Sequence, residues 1–162
     1  MTSCPSCHAE LPAGTRWCTI CATNVIDPTI GRLASPGKRL GAYVLDFVFP
    51  IAAWVFVFVA AGIQHGFWGI LALIVMIGYP IWALITFAKG TSPGKQLLGM
   101  FVVKQDGRRA GFGTMLVREW IGKVLSGLLF SLGYLWILFD RERQGWHDKL
   151  ASTYVVERAP GT

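Results

Sequence analysis

The chain has 162 residues, of which 53% are hydrophobic and only 15% charged, with a mean hydropathy of +0.49. That balance excludes an ordinary soluble domain of this length and points to a membrane protein. The net charge of +6 would suit nucleic acid, but the fifteen Lys and Arg fall before position 40, between 89 and 123, or after 140, flanking the apolar blocks; no nucleic acid is expected, and the placement predicts a positive-inside orientation with contact to anionic headgroups.

Residues 1–26 carry two C-x2-C pairs separated by ten residues, Cys4, Cys7, Cys18 and Cys21. Paired Cys at this spacing put two thiolates on one turn, and two such turns facing each other complete a tetrahedral four-sulfur site. The expectation is a zinc ribbon whose metal is structural, since four protein ligands leave no open position and the ion supplies the folding energy that so short a segment lacks. Two disulfides, or a C-x-x-C redox pair, are the competing readings; His8 is read as a solvated neighbour. No apolar signal-peptide core precedes the ribbon, so the first membrane helix is expected to direct insertion. Residues 27–37, with Pro28, Gly31, Pro36 and Gly37, read as a linker that tethers the ribbon to a membrane domain spanning 38–158.

That domain opens on PGKRLGAYVLDFVFP. Between Leu40 and Phe87 the only ionisable acid or base besides His65 is Asp46, and a carboxylate in hydrocarbon costs about 2.5 to 3.5 kcal/mol even on lenient scales, so it asks for a partner or a task. Seven residues separate Arg39 from Asp46, close to two turns, which places both on one helical stripe and suggests that they pair. Pro50 lacks the N–H that the Asp46 carbonyl would bind, predicting a kink and a second oxygen ligand at that level. Two full spans are expected, 41–63 and 67–88, joined by the turn at Gln64, His65 and Gly66, with Pro80 inside the second and Trp68 as interface anchor. His65 is read as a polar turn residue. Lys38 and Arg39 before the first span, and no Lys or Arg in the turn, put the amino terminus in the cytoplasm, a reducing compartment that favours zinc over disulfides.

Beyond the second span, MFVVKQDGRR reads as a strand ending at an Asp-Gly turn and STYVVER as a second strand; their pairing would place the carboxyl terminus beside the loop after the second span. Residues 113–139 are apolar, long enough for one crossing and too short for two. A single crossing would export Arg141, Arg143, Lys149 and Arg158, so an amphipathic helix from Thr114 with Arg118, Glu119 and Lys123 at the interface, then a re-entrant return bending at Ser131 and Gly133, is preferred to a plain third crossing. In the tail, His147 beside Asp148 could act as a proton acceptor pair or could dock the tail. The fold class is therefore an all-α integral membrane domain with two full transmembrane helices, a third membrane-embedded segment and a small cytoplasmic β pairing, preceded by a zinc ribbon.

The blocks GKRLGAYVLD, TSPGKQLLGMFVV, LVREW and RQGWHDKLASTYVV, in this order, resemble the RDD family of small prokaryotic membrane proteins over about Ser35 to Glu157. The resemblance implies that Arg39 and Asp46 are the family's first arginine and aspartate, and that its second aspartate is Asp148, with Asp140 as the alternative. It also implies a bacterial inner-membrane location and a biochemical role that is mostly unassigned in the family, with transport of an unidentified ligand proposed and cation/proton antiport attributed to some members; the ribbon departs from the minimal family pattern. Two functions are carried forward. The first is an oligomeric cation or proton transport module, with Asp46 as ion site, Arg39 as counter-ion and Asp148 with His147 at the cytoplasmic mouth. The second is a membrane-embedded adaptor whose ribbon recruits a cytoplasmic protein and whose charged residues specify packing. An enzyme is not expected, the one metal site being closed.

Overall fold

A computed structural model describes residues 2–63, 66–122, 124 and 136–157. The ribbon begins with the two-residue strands β1 (Thr2–Ser3) and β2 (Glu10–Leu11), paired antiparallel. β3 (Arg32–Leu33) follows and leads into α1 (Pro36–Gly62), where the Ser35 hydroxyl caps the Lys38 amide and Pro36 occupies the first turn. α2 (Gly66–Ala88) returns alongside α1. Both helices continue through their internal prolines, Pro50 and Pro80.

At 27 and 23 residues, α1 and α2 are about 40 and 35 Å long, enough to cross a bilayer. Only 6% and 11% of their most apolar windows are buried within the protein. A core helix of a soluble protein would be covered by its neighbours; these two present Phe47, Trp54, Phe58, Ile70 and Ile74 outward.

The other described residues gather at one end of this hairpin. After α2 come α3 (Pro93–Leu97), β4 (Met100–Lys104), α4 (Phe112–Leu116) and a π-helical segment, Val117–Gly122. A 3-10 turn (Trp136–Leu138), α5 (Trp146–Leu150) and β5 (Thr153–Glu157) complete the described residues. β5 lies between β3 and β4, antiparallel to both, with Val102 opposite Val155 and Leu33 opposite Val156. The expected pairing of MFVVK with TYVVE is thus present, and a third strand joins it from the segment read as a linker. Residues 27–37 are folded, not a free tether: Leu33 donates to the Ala22 carbonyl, and Thr23 bridges Arg32.

The ribbon is packed on this sheet. Trp17 stacks obliquely on Tyr154 with ring centroids 5.3 Å apart, in a core shared with Ala22, Leu33, Val103 and Val156. On the other face of the sheet, Val102 and Val155 meet Ala34 and Ala42 of the hairpin's base together with Met115. Gly90 is required where α2 runs into this layer: its φ is +70°, and a Cβ there would lie 2.6 Å from the Ala110 carbonyl oxygen.

β3 precedes α1, β4 follows α2 and β5 is the last described element, so one sheet collects all three at the same end of the hairpin. Both flanks of the third apolar block also meet α5 there, the π-helical segment through Arg118 and the 3-10 turn through Trp136, whose ring stands 6.2 Å from that of Trp146. The bend expected at Ser131 and Gly133, the Lys123 pairing and His65 lie outside the described residues.

Candidate functional site

The site grows from the junction of α1 with α3. Asp46 does not meet Arg39. Its carboxylate accepts the Ser92 hydroxyl at 2.6 Å and the Gly94 amide at 2.7 Å, so that it caps the first turn of α3 from outside. Pro93 fits the first helical position because it has no N–H to satisfy. Gly94 lets the two backbones touch: a Cβ would strike the Ala42 carbonyl and come within 3.0 Å of the Asp46 amide nitrogen. Lys95 follows, with Nζ 3.0 Å from Glu119 and 3.7 Å from Asp46. The run Ser92-Pro93-Gly94-Lys95 is therefore a fitting built around one carboxylate.

From Glu119 the network continues. Glu119 accepts from Arg118 Nη1 at 3.0 Å, and Arg118 Nε and Nη2 each lie 2.7 Å from Asp148 Oδ1. Asp148 Oδ2 accepts from Arg39 and from the Gly145 amide, while a second Arg39 nitrogen donates to the Arg143 carbonyl. Asp148 is 0% exposed and Arg118 1%. Among the described residues, three cations, Arg39, Lys95 and Arg118, thus face three carboxylates, Asp46, Glu119 and Asp148, in one chain of contacts. Buried charges tolerate desolvation only when paired and hydrogen-bonded, and here both conditions are met.

The helical stripe linking Arg39 to Asp46 misassigned their partners. Arg39 reaches inward to α5 and Asp46 to α3, because elements far away in sequence pack against α1 at those two levels. Arg118 and Glu119, expected at the cytoplasmic interface, point into the protein, and Leu116, Val117, Trp120 and Ile121 point out. Ser92, Gly94 and Lys95 were missed as site residues; the signal available was TSPGK, a turn with a basic residue directly after a span.

His147 Nε2 lies 3.6 Å from Asp148 Oδ1, too far for a hydrogen bond. Burial pushes its imidazole down to about 3; the pull of Asp148 is outweighed by burial together with the nearby Arg118 and Arg39. His147 is therefore neutral at physiological pH and does not form the proton-accepting pair that a neighbouring carboxylate alone would produce. Burial would raise the Asp148 carboxyl, but Arg118 first and then Arg39 hold it far below the usual carboxylate range. Asp140, the alternative second aspartate, sits at the turn before α5, bonded to Lys149 at 2.5 Å and to the Gln144 amide at 2.9 Å. It takes no part in the buried network.

The model of the RDD family matches residues 33–152. The chain belongs to the RDD family. It is similar to the uncharacterized protein YxaI of Bacillus subtilis, 35% identical over 86 residues, covering 52% of this chain and 55% of YxaI. It is also similar to the uncharacterized protein YckC of the same organism, 28% identical over 128 residues, covering 76% of this chain and 83% of YckC. No solved structure matches. Family membership and two long apolar helices together mark a membrane protein.

Outside the family match, the four cysteines of the ribbon converge. Cys4 and Cys21 sulfurs are 3.6 Å apart, as are those of Cys7 and Cys18, and all four lie within 4.8 Å of one another. Tetrahedral bonds of about 2.3 Å place ligand sulfurs about 3.8 Å apart, so the cluster fits one ion. The thiols titrate against one another: against burial, hydrogen bonds to the Thr23 side chain and backbone hold Cys21 down to about 6, while against a backbone hydrogen bond at Ala9, desolvation and the neighbouring sulfurs push Cys7 up to about 12, so the convergence of the sulfurs is what marks the site. Four close cysteines could bind a metal.

Proposed function

We propose that this RDD protein is a membrane-anchored, non-catalytic platform that presents its cysteine ribbon, loaded with structural zinc, to a cytoplasmic protein partner. The observation that carries the reading is continuity of packing: Trp17 of the ribbon lies against Tyr154 of β5, and the segment leading into β5 is locked to α1 through Asp148 and Arg39. A ribbon held this way is a fixed surface, with Ile20 and Ile26 exposed on it. The charged network suits a specificity device for packing better than an ion path, since each of its members already has a partner. In this reading α1 and α2 cross the bacterial plasma membrane, and the positive-inside rule puts the ribbon, sheet and tail in the cytoplasm.

One observation favours the second reading, cation or proton exchange. Lys95 lies between Asp46 and Glu119, and the Asp46 side chain keeps 12% of its surface, so a cation displacing the ammonium would meet two carboxylates. Two helices cannot enclose a pathway, so exchange requires a homo-oligomer. Purified protein in liposomes under an imposed pH gradient separates the two. The platform reading expects no movement of Na⁺, K⁺ or H⁺; flux that Asp46→Asn abolishes overturns it.

A further inference from the structure

The segment Phe112–Gly122 is amphipathic in the inverted sense. Met115, Arg118 and Glu119 are buried, whereas Phe112, Leu116, Val117, Trp120 and Ile121 are exposed, Trp120 to 69%. The π-helical turn, with its i to i+5 spacing, helps to bring the adjacent Arg118 and Glu119 to the inner side together. A helix lying on a membrane surface does the opposite and turns its charges to water. Here the charges are consumed internally, by Asp148 and Lys95, and an unbroken apolar face is left outside.

That face does not stand alone. α4 packs against the end of α2, with Met115 in the same core as Phe87, so its outward side chains continue the apolar surface that Leu84 and Ile85 present on α2. On the far flank of the third apolar block, Trp136, Leu138 and Phe139 are exposed as well. In the chain, Lys89 directly follows α2 and Arg141 follows Phe139 and Asp140, both exposed and neither with an ion-pair partner among the described residues. Cations at the edge of an apolar band meet headgroup phosphates.

We infer that the segment Phe112–Gly122, with Phe139, is immersed in the acyl-chain region of the leaflet nearest the sheet, as a third lipid-facing element whose ionic groups are turned inward. The occupant of this surface is lipid hydrocarbon, and the surface widens the foot of a hairpin that two helices alone would leave narrow.

The full-length protein carrying p-benzoyl-phenylalanine at position 120, and separately at position 139, is reconstituted in vesicles of phosphatidylcholine and phosphatidylglycerol and irradiated. An aromatic replaces an aromatic at both exposed sites, and an unchanged melting profile certifies the fold. Position 104, exposed at the end of β4, serves as the aqueous control. The expected result is a phospholipid adduct by intact mass at 120 and 139 and none at 104. Covalent dimers at 120 would show that a second copy covers the surface and would overturn the inference, as would the absence of adducts at both positions.

Discussion

Arg39, in the second turn of α1, and Asp148, in α5, stand 109 positions apart in the chain and form a buried ion pair in which the carboxylate also holds Arg118. One acid thereby fastens the first membrane helix to both the π-helical segment and the carboxyl-terminal helix.

Removing that acid leaves two buried guanidinium groups facing each other. Asp148→Asn is expected to cost about 3 to 5 kcal/mol, the usual penalty for breaking a buried pair from one side. Asp140→Asn, in a half-exposed pair with Lys149, is expected to cost no more than about 1 kcal/mol. Thermal unfolding of both variants in one detergent checks the order; if Asp140→Asn were the more damaging, the assignment of Asp148 as the central acid would be wrong.

The junction between α1 and α3 depends on the missing side chain at position 94. Gly94→Ala drives a methyl group into the backbone at Ala42, pushes α3 away and lengthens both bonds to Asp46; about 1 to 3 kcal/mol of stability should be lost. Gly37→Ala, in the first turn of α1 where a Cβ meets nothing within 4 Å, should be neutral or stabilising by up to about 1 kcal/mol. Protease cleavage in residues 89–99 should rise for the first variant alone.

How far the sequence could lead is clear from particular residues. The cysteine spacing is a local pattern and predicts a local cluster, and the isolation of Asp46 among apolar residues correctly marks it as needing partners. What helical periodicity cannot supply is which distant element arrives at each level, so Arg39 and Asp46 were given to each other although Asp148 and Ser92 take them. The face of Arg118 and Glu119 was inverted for a related reason: charges were assumed to seek water, whereas a segment bounded by an apolar exterior turns them toward counter-charges inside. β3 has only two residues, too few to show alternation, and with it the docking of the ribbon was hidden.

Acid should loosen the structure through His147. Its imidazole is held down to about 3 by burial, while in the unfolded chain it titrates near the ordinary value of about 6.5. Between those limits the unfolded state binds the additional proton, so stability is undiminished above about pH 6.5 and falls as pH drops, by at most about 1.4 kcal/mol per unit. Asp148, depressed in the fold, adds a second loss that begins only near the ordinary carboxylate value of about 4. Denaturation between pH 7 and 4.5 should therefore show a slope that His147→Gln flattens. An unchanged slope would mean that the imidazole is protonated in the fold.

Metal removal tests the ribbon as a folded unit. Among the described residues the convergent thiols have Leu11 and Val25 as close apolar support, while Trp17 and Ala22 are given to the sheet core, so a bound metal is expected to supply most of the ribbon's folding energy. One zinc per chain is expected by elemental analysis, and Cys18→Ser should reduce it. Chelation should expose Trp17, because Cys18 beside it is one of the four proposed ligands and its carbonyl accepts the Ala22 amide that starts the chain toward β3. The measurable outcome is protease cleavage within residues 2–30 after chelation, while the α1–α2 hairpin and the sheet around Val102 and Val155 resist. Should cleavage after chelation spread at once into β4 and β5, the ribbon and the sheet would be a single cooperative unit.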